Sequence, residues 1–193
     1  MKRIGLLGGT FNPVHIGHLV IAQMAQEKMK LDKVFFVPSF LPPHKSVSGI
    51  LSARDRFNMV RLATSGNPAF AVSDIELKRK GRSFTIDTVE YFHERYPGAK
   101  LFFIIGSDWL PTLGSWERID RILELVELVV VNRPGCSENH SKFQYRSIES
   151  PGIDISSSFL RQRIIRNQTI QYLVPEKVWS YIKKHRLFQQ KRG

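Results

Sequence analysis

The segment KRIGLLGGTFNPVHIGH, residues 2–18, decides how this chain folds. It contains an apolar run at residues 4–7, then Gly8 and Gly9, a short turn with Pro13, and an apolar-periodic stretch that begins at Ile16. This order predicts a buried β-strand, a glycine turn and an α-helix. In an open parallel sheet such a turn lies at the carboxyl end of its strand, which is where ligands bind.

The residues of this turn favour a ligand that carries phosphate. Gly8 and Gly9 lack a β-carbon, so a phosphate or a ribose can approach the backbone closely. The unpaired amides and the dipole of the helix that follows attract an anion. His15 and His18 stand three residues apart at the start of that helix, a spacing that lets both face one polyanion. The segment lacks both the G-x-G-x-x-G of dinucleotide folds and the G-x-x-x-x-G-K-[ST] of phosphate-binding loops. By themselves, its residues therefore indicate only an anion at a helix start.

Composition and charge limit the class of protein. A length of 193 residues that are 42% hydrophobic predicts a single globular domain, residues 1–193, with a sizeable core. The formal charge of +12 favours anionic partners, among them nucleic acid, acidic lipid and phosphorylated metabolites. Cys136 is the only cysteine, which excludes an intrachain disulfide and fits a reducing compartment. No apolar run reaches the ~18 residues that cross a bilayer, and no signal peptide is recognisable, so we predict a soluble, cytoplasmic protein.

Strand and helix patterns alternate along the rest of the chain. Further strands are predicted at residues 34–37, 70–77, 100–105, 127–132 and 145–150, and helices at 16–30, 52–65, 86–96, 117–125 and 174–188, with one more opening at the serines of residues 156–158. Alternation with near-continuous apolar strands predicts an α/β fold, a doubly wound, Rossmann-like parallel sheet with a small helical part at residues 156–188.

Capping and surface residues can also be predicted from the pattern. Ser52 is the expected N-cap of helix 52–65, and Arg54, Asp55, Arg56 and Arg61 are expected on its outward face. Ser83 or Thr85 is expected to cap helix 86–96.

Two later segments also have the character of ligand loops. GSDWLPTLGSW, residues 106–116, follows a strand and places Asp108 at the same sheet edge as the first turn, although the residues alone favour Asp108 as a helix cap. Of Trp109 and Trp116, one is expected in the core and one as a stacking platform. In IDISSSFLR, residues 153–161, the serines can cap a helix and still leave amides for a phosphate. Arg161 adds a guanidinium group that can make a bidentate contact to phosphate. From the residues alone, serines that only cap the helix are an equally good interpretation of this segment.

Four segments, taken in order along the chain, carry a family resemblance. GGTFNPVHIGH, PPHK at residues 42–45, GSDWLPTLGSW and ISSSFLR resemble the nicotinate-nucleotide adenylyltransferases of the H-x-G-H nucleotidyltransferase superfamily. Ser158 and Leu160 stand where that superfamily often has threonine and isoleucine. The resemblance implies a nucleotidyltransferase that joins ATP and nicotinate mononucleotide into nicotinate adenine dinucleotide and pyrophosphate, in NAD biosynthesis. It also implies Mg²⁺ carried by ATP, with no metal ligand from the protein.

The resemblance further implies a role for individual residues. The catalytic residues that it implies are His15, His18, Lys45 and Arg161. Those binding ATP are Gly8, Gly9, Thr10, Phe11, His15, Gly17, His18, Gly106, Asp108, Ile155, Ser156, Ser157 and Arg161. Those binding the acceptor are Lys45, Thr85, Asp108 and Trp116, with the indole of Trp116 on the pyridine ring. From the residues alone, Lys45 is expected to be a solvent-exposed lysine and Thr85 a helix cap.

Several alternatives stay open at this point. The acceptor could instead be nicotinamide mononucleotide or phosphopantetheine, or the reaction a cytidylyl transfer. A basic RNA-binding module would need an aromatic-and-basic motif that is lacking, and a dinucleotide-dependent oxidoreductase would need the glycine fingerprint. Cys136 and His140 have no third ligand nearby to make a metal site. We therefore expect no nucleic-acid or membrane partner, and leave a homo-oligomer open.

Overall fold

One parallel β-sheet with helices on both faces forms the body of the protein. The computed structural model describes residues 1–42, 49–132 and 142–189. The strands are β1 (Arg3–Gly9), β2 (Lys33–Pro38), β3 (Phe70–Val72), β4 (Lys100–Gly106), β5 (Glu127–Asn132) and β6 (Arg146–Glu149). The helices are α1 (Ile16–Lys28), α2 (Ala53–Thr64), α3 (Ile75–Arg79), α4 (Thr85–Arg95), α5 (Ile119–Leu125), α6 (Ser157–Ile165) and α7 (Glu176–Lys184), with a 3₁₀ helix at Ser107–Ser115.

The order of the strands places a ligand crevice at the centre of the sheet. The order is β3-β2-β1-β4-β5-β6, and every neighbouring pair is parallel. The chain winds outward in one direction from β1 and in the other from β4, so the order reverses between these two strands. In such sheets ligands bind outside the carboxyl ends of the strands at this reversal. The predicted doubly wound α/β fold is confirmed.

Both faces of the sheet are buried, which explains why its central strands are continuous apolar runs. Successive side chains of a strand point to opposite faces. In β4, Phe102 and Ile104 join the core beneath α1, α2, α6 and α7. Leu101, Phe103 and Ile105 join the second core, beneath α4 and α5.

The strand predicted at residues 70–77 and the predicted cap of helix 86–96 are wrong. The strand predicted at residues 70–77 ends at Val72, and the helix α3 occupies Ile75–Arg79, since Asp74 and the charged residues after it break the apolar run. The helix predicted at residues 86–96 begins at Thr85 with Phe84 as its N-cap residue. Ser83 does not cap it, because the Ser83 hydroxyl instead accepts from the Phe40 N–H at 2.8 Å.

Helix α2 contains one correct and one wrong prediction. Ser52 is its N-cap, and the serine hydroxyl accepts from the Asp55 N–H at 3.1 Å. The expectation that Arg56 faces outward is wrong: its side chain is 1% exposed. Hydrophobic periodicity treats an arginine as a surface residue, but two of the backbone carbonyls that accept from this one, those of Thr10 and Phe40, lie 46 and 16 positions away.

In the part of the chain that the structure describes, no helix has the length and apolarity needed to cross a membrane.

Candidate active site

A cleft of about 490 Å³ opens where the sheet order reverses. Three segments that lie far apart in sequence, residues 8–18, 106–116 and 155–161, meet around it. The predicted site residues that line it are Gly8, Gly9, Thr10, Phe11, His15, Gly17, His18, Thr85, Gly106, Asp108, Trp116, Ile155, Ser156, Ser157 and Arg161. Lys45 lies outside the described residues, as do Cys136 and His140.

The glycine turn after β1 is shaped by an aromatic ring. Phe11 adopts a left-handed conformation with φ of 49°, and its side chain is buried. A β-carbon at Gly9 would stand 2.9 Å from Cζ of that ring. The missing β-carbon at Gly9 thus makes room for Phe11, whereas the sequence suggested that it makes room for a ligand. The ring of Phe11 in turn packs edge-on against the imidazole of His18, with centroids 5.0 Å apart.

The two histidines at the start of α1 form a close pair. The backbone N–H of His15 donates to Nδ1 of His18 at 3.2 Å, and the ring centroids are 3.8 Å apart. Because Nδ1 of His18 accepts, a neutral imidazole carries its proton on Nε2, a tautomer inferred from the hydrogen bond. A β-carbon at Gly17 would stand 3.1 Å from Nδ1 of His15, so glycine lets that ring fold over the helix start.

Side-chain bonds attach the beginning of α6 to the turn before α1. The Ser157 hydroxyl donates to the Pro13 carbonyl at 2.8 Å, and Nη1 of Arg161 donates to the Asn12 carbonyl at 2.9 Å. Ser156 caps the helix by accepting from the Phe159 N–H at 3.1 Å. Burial lowers the pKa of Arg161. These bonds bring a guanidinium group from the end of the chain to the same cleft as His18.

The wall formed by residues 106–116 contributes a carboxylate and two aromatic rings. A β-carbon at Gly106 would collide with Oδ1 of Asp108, so the carboxylate folds back over this glycine. Asp108 does not cap the 3₁₀ helix, whose N-cap residue is Gly106. The indole of Trp116 lies edge-to-face with Phe103 and with Trp109, at centroid distances of 5.7 and 5.9 Å. Trp109 and Trp116 both line the cleft, so the expectation that one of them is a core residue and the other a stacking platform does not separate them.

The N-terminus of α4 forms another part of the cleft wall. Phe84 and Thr85 line the cleft, and the N-cap residue makes no side-chain capping bond. Behind them, the Thr88 hydroxyl donates to Oε1 of Glu76 at 2.7 Å. Burial raises the pKa of Glu76, an effect that the hydroxyls of Ser83 and Thr88 oppose. A helix start of this kind presents backbone N–H groups and the positive end of its dipole to the cleft.

Some cleft residues were not singled out by the sequence. Asn12 is buried and lines the cleft: its Nδ2 donates to the Gly49 carbonyl at 3.0 Å, and its Oδ1 accepts from the Leu51 N–H at 3.2 Å. Its position inside the GGTFNP motif was the available signal. Glu76 also lines the cleft, and no local pattern distinguishes it from a surface glutamate.

Within residues 1–42, 49–132 and 142–189, no cluster of three or more His, Cys, Asp or Glu side chains is arranged to hold a metal ion.

A parallel sheet of this strand order, with a helix start, two histidines and an arginine around the crevice at its reversal, defines a protein that binds nucleotide phosphates. The family model described as cytidylyltransferase-like matches residues 6–163. A probable nicotinate-nucleotide adenylyltransferase from Shouchella clausii is 45% identical over 188 residues, 97% of each chain. One from Oceanobacillus iheyensis is 40% identical over 188 residues, again 97% of each chain.

Solved structures share the fold. The Plasmodium falciparum nicotinic acid mononucleotide adenylyltransferase complexed with APC superposes with a TM-score of 0.80 at 18% identity, covering 97% of this chain and 98% of that one. The same enzyme complexed with NaAD gives a TM-score of 0.77. The sequence relatives, which match at higher identity and nearly full length, carry the assignment: this chain belongs to the nicotinate-nucleotide adenylyltransferases of the cytidylyltransferase-like family.

Proposed function

We propose that this protein transfers the adenylyl group of ATP to nicotinate mononucleotide, producing nicotinate adenine dinucleotide and pyrophosphate. Family membership supports the reaction type and the acceptor. The structural observation that carries the proposal is that His18 and Arg161 line one cleft at the reversal of the sheet. A cleft of about 490 Å³ falls in the size range of sites for small molecules and cofactors.

The reaction is an in-line displacement at phosphorus. A phosphate oxygen of the mononucleotide attacks the α-phosphorus of ATP, a new P–O bond forms, and the bond to the β-phosphate oxygen breaks so that pyrophosphate leaves. The attacking phosphate is already anionic near neutral pH, so no general base is required. Catalysis then depends on positioning and on neutralising charge as it develops.

Each cationic or N–H donor has a place in this scheme. His18 donates from Nε2 to the α-phosphate, and His15 contacts the phosphates beside it. Arg161 and the amides at the start of α6 hold the departing pyrophosphate. Lys45 neutralises the transferred or attacking phosphate. Mg²⁺ carried by ATP would be held by phosphate oxygens and water and would neutralise part of the phosphate charge.

Two features support a pyridine acceptor that carries a carboxylate. The α4 N-terminus at Thr85 faces the cleft, and helix N-termini favour anions. Trp116, on the wall formed by residues 106–116, offers an aromatic face to an electron-poor pyridinium ring. Nicotinamide mononucleotide lacks the negative charge that the helix start would stabilise, so we expect it to be the poorer acceptor.

The test is pyrophosphate release by the purified protein. ATP is combined with nicotinate mononucleotide, nicotinamide mononucleotide or phosphopantetheine, and CTP replaces ATP in a parallel series. We expect the highest kcat/KM with ATP and nicotinate mononucleotide. The His18→Ala variant, purified identically, controls for contaminating enzymes. A preference for CTP, or for either of the other acceptors, would contradict the proposal.

A further inference from the structure

Arg56 is a buried cation that does not itself line the cleft. It lies on α2 and is 1% exposed, and it belongs to the largest side chains that the fold buries completely. Its guanidinium group donates three hydrogen bonds, each to a backbone carbonyl: Nε to Leu51 at 3.1 Å, Nη1 to Thr10 at 2.9 Å and Nη2 to Phe40 at 2.9 Å. Burial lowers the pKa of Arg56 to about 10, and the nearby Glu76 carboxylate opposes this shift. The group is therefore still a cation at neutral pH.

The three carbonyls belong to three different segments of the cleft wall. Thr10 is in the glycine turn and lines the cleft itself. Phe40 stands between the lining residues Ser39 and Pro42, and Leu51 directly follows the lining residues Gly49 and Ile50. A guanidinium group is planar and its N–H bonds diverge at fixed angles. One rigid group therefore sets the relative positions of three backbone segments.

The connection continues from Phe40 to the acceptor side of the cleft. The Phe40 N–H donates to the Ser83 hydroxyl at 2.8 Å, and the Ser83 N–H donates to the Leu41 carbonyl at 2.9 Å. Ser83 is two residues before Thr85, where α4 begins. A path of hydrogen bonds thus runs from Thr10, on the phosphate side, through Arg56 and Phe40 to Ser83.

We propose that Arg56 is a positioning residue: it sets the distance between the phosphate-binding turn at Thr10 and the acceptor-binding segment at Ser83. This inference rests on the proposed function, which assigns the two substrates to these two sides. A buried cation is tolerated only where its donors are satisfied, so the three carbonyls and the guanidinium group hold one another in place. Displacing bound reactants by about 1 Å can cost about 100-fold in rate, so a change in this spacing should reduce catalysis.

The experiment compares Arg56→Met, Arg56→Lys and Met59→Ala. Met59 is a completely buried residue of the same helix, belongs to the core beneath the sheet and does not line the cleft, so its loss lowers stability without touching the wall. We expect Arg56→Met to raise KM for both substrates and to lower kcat/KM by about 100-fold. Arg56→Lys, which keeps the charge but not the fork, should fall between Arg56→Met and the wild type. Met59→Ala should lower Tm and leave both KM values unchanged.

A binding measurement separates failure of this inference from failure of the proposed function. The affinity for α,β-methylene-ATP, measured by calorimetry at a temperature where all variants are folded, needs no turnover. We expect weaker binding by Arg56→Met and wild-type binding by Met59→Ala. If the wild type released no pyrophosphate, the proposed function would fall and this comparison would still test Arg56. Wild-type affinity and KM values in Arg56→Met, with only Tm lowered, would overturn the inference.

Discussion

The N–H of His15 is hydrogen-bonded to Nδ1 of His18 at 3.2 Å, within the first turn of α1. This bond determines which imidazole nitrogen is a donor, because an accepting Nδ1 leaves the proton of the neutral ring on Nε2. It also fixes the ring beside Phe11 and His15. The bond thereby leaves Nε2 as the nitrogen of His18 that can donate to a substrate.

Replacing His18 with alanine should lower kcat by about 100- to 1,000-fold, the usual cost of removing one preorganised donor to developing charge. Steady-state pyrophosphate release measures the loss, and thermal unfolding should show little change in Tm. His93→Ala is the matched control, since His93 is an exposed histidine on α4. Near wild-type turnover by His18→Ala would refute the role of this imidazole.

Replacing Arg161 with lysine should raise KM for ATP and weaken product inhibition by pyrophosphate, since a lysine ammonium cannot reproduce a bidentate contact to phosphate. We expect kcat/KM for ATP to fall by at least about tenfold, as loss of a charged hydrogen bond of about 1.5 kcal/mol would produce. Arg166→Lys, at the exposed C-terminal end of the same helix, is the control. Equal ATP kinetics in the two variants would place Arg161 outside the triphosphate site.

Replacing Trp116 with alanine should raise KM for the mononucleotide about tenfold, which corresponds to about 1–2 kcal/mol of stacking and cation–π energy, and leave KM for ATP nearly unchanged. Trp116→Phe keeps an aromatic face and should recover most of the affinity. Trp179→Phe, on α7 and packed against the opposite core, should match the wild type. If only KM for ATP rose, Trp116 would contact ATP and not the mononucleotide, which would contradict the proposed role.

Two glutamates should affect stability with opposite dependence on pH. Burial raises the pKa of Glu76 above its unfolded value of 4.5. The protonated form therefore stabilises the fold. This stabilisation is complete below pH 4.5 and is lost as the pH rises through the native pKa. Hydrogen bonding to Lys100, with help from Arg146, lowers the pKa of Glu127, so its contribution is present above pH 4.5 and is lost as the pH falls through the native pKa.

Thermal unfolding of Glu76→Gln and Glu127→Gln, scanned from acid to neutral pH, checks these signs. The Tm of Glu76→Gln should increase relative to that of the wild type as the pH rises, because the variant has no buried carboxyl to ionise at this position. The Tm of Glu127→Gln should be below that of the wild type at neutral pH, and the gap should close in acid. A parallel shift of both variants at every pH would show that neither carboxyl titrates differently in the folded state.

Local patterns predicted much of the fold and several cleft residues. The strand, glycine turn and helix start of residues 2–18 were predictable because hydrophobic periodicity and capping preferences act over a few residues. The same holds for β5, which matches its predicted bounds of residues 127–132. The break after β3 was missed, since Ile75 and Leu77, two positions apart, continue the alternation of a strand, whereas the chain forms the helix α3 there.

Buried polar residues were the main failure. Arg56 and Glu76 look like surface charges in any periodicity argument, yet both are almost completely buried. Their partners explain this: Arg56 donates to carbonyls as far as 46 positions away, and Glu76 accepts from Thr88, 12 positions away. Nothing within one helical turn of either residue signals these contacts.

The sequence by itself determined the order of strands and helices and the chemistry available at each turn, because those depend on neighbouring residues and their local energies. Only the tertiary structure decided which turns share a cleft. Parallel crossovers bring the carboxyl ends of β1 and β4 together, and a bond spanning 149 positions, from Arg161 to the Asn12 carbonyl, fixes the third segment beside them. Such contacts depend on the tertiary fold, since no short stretch of chain contains both partners.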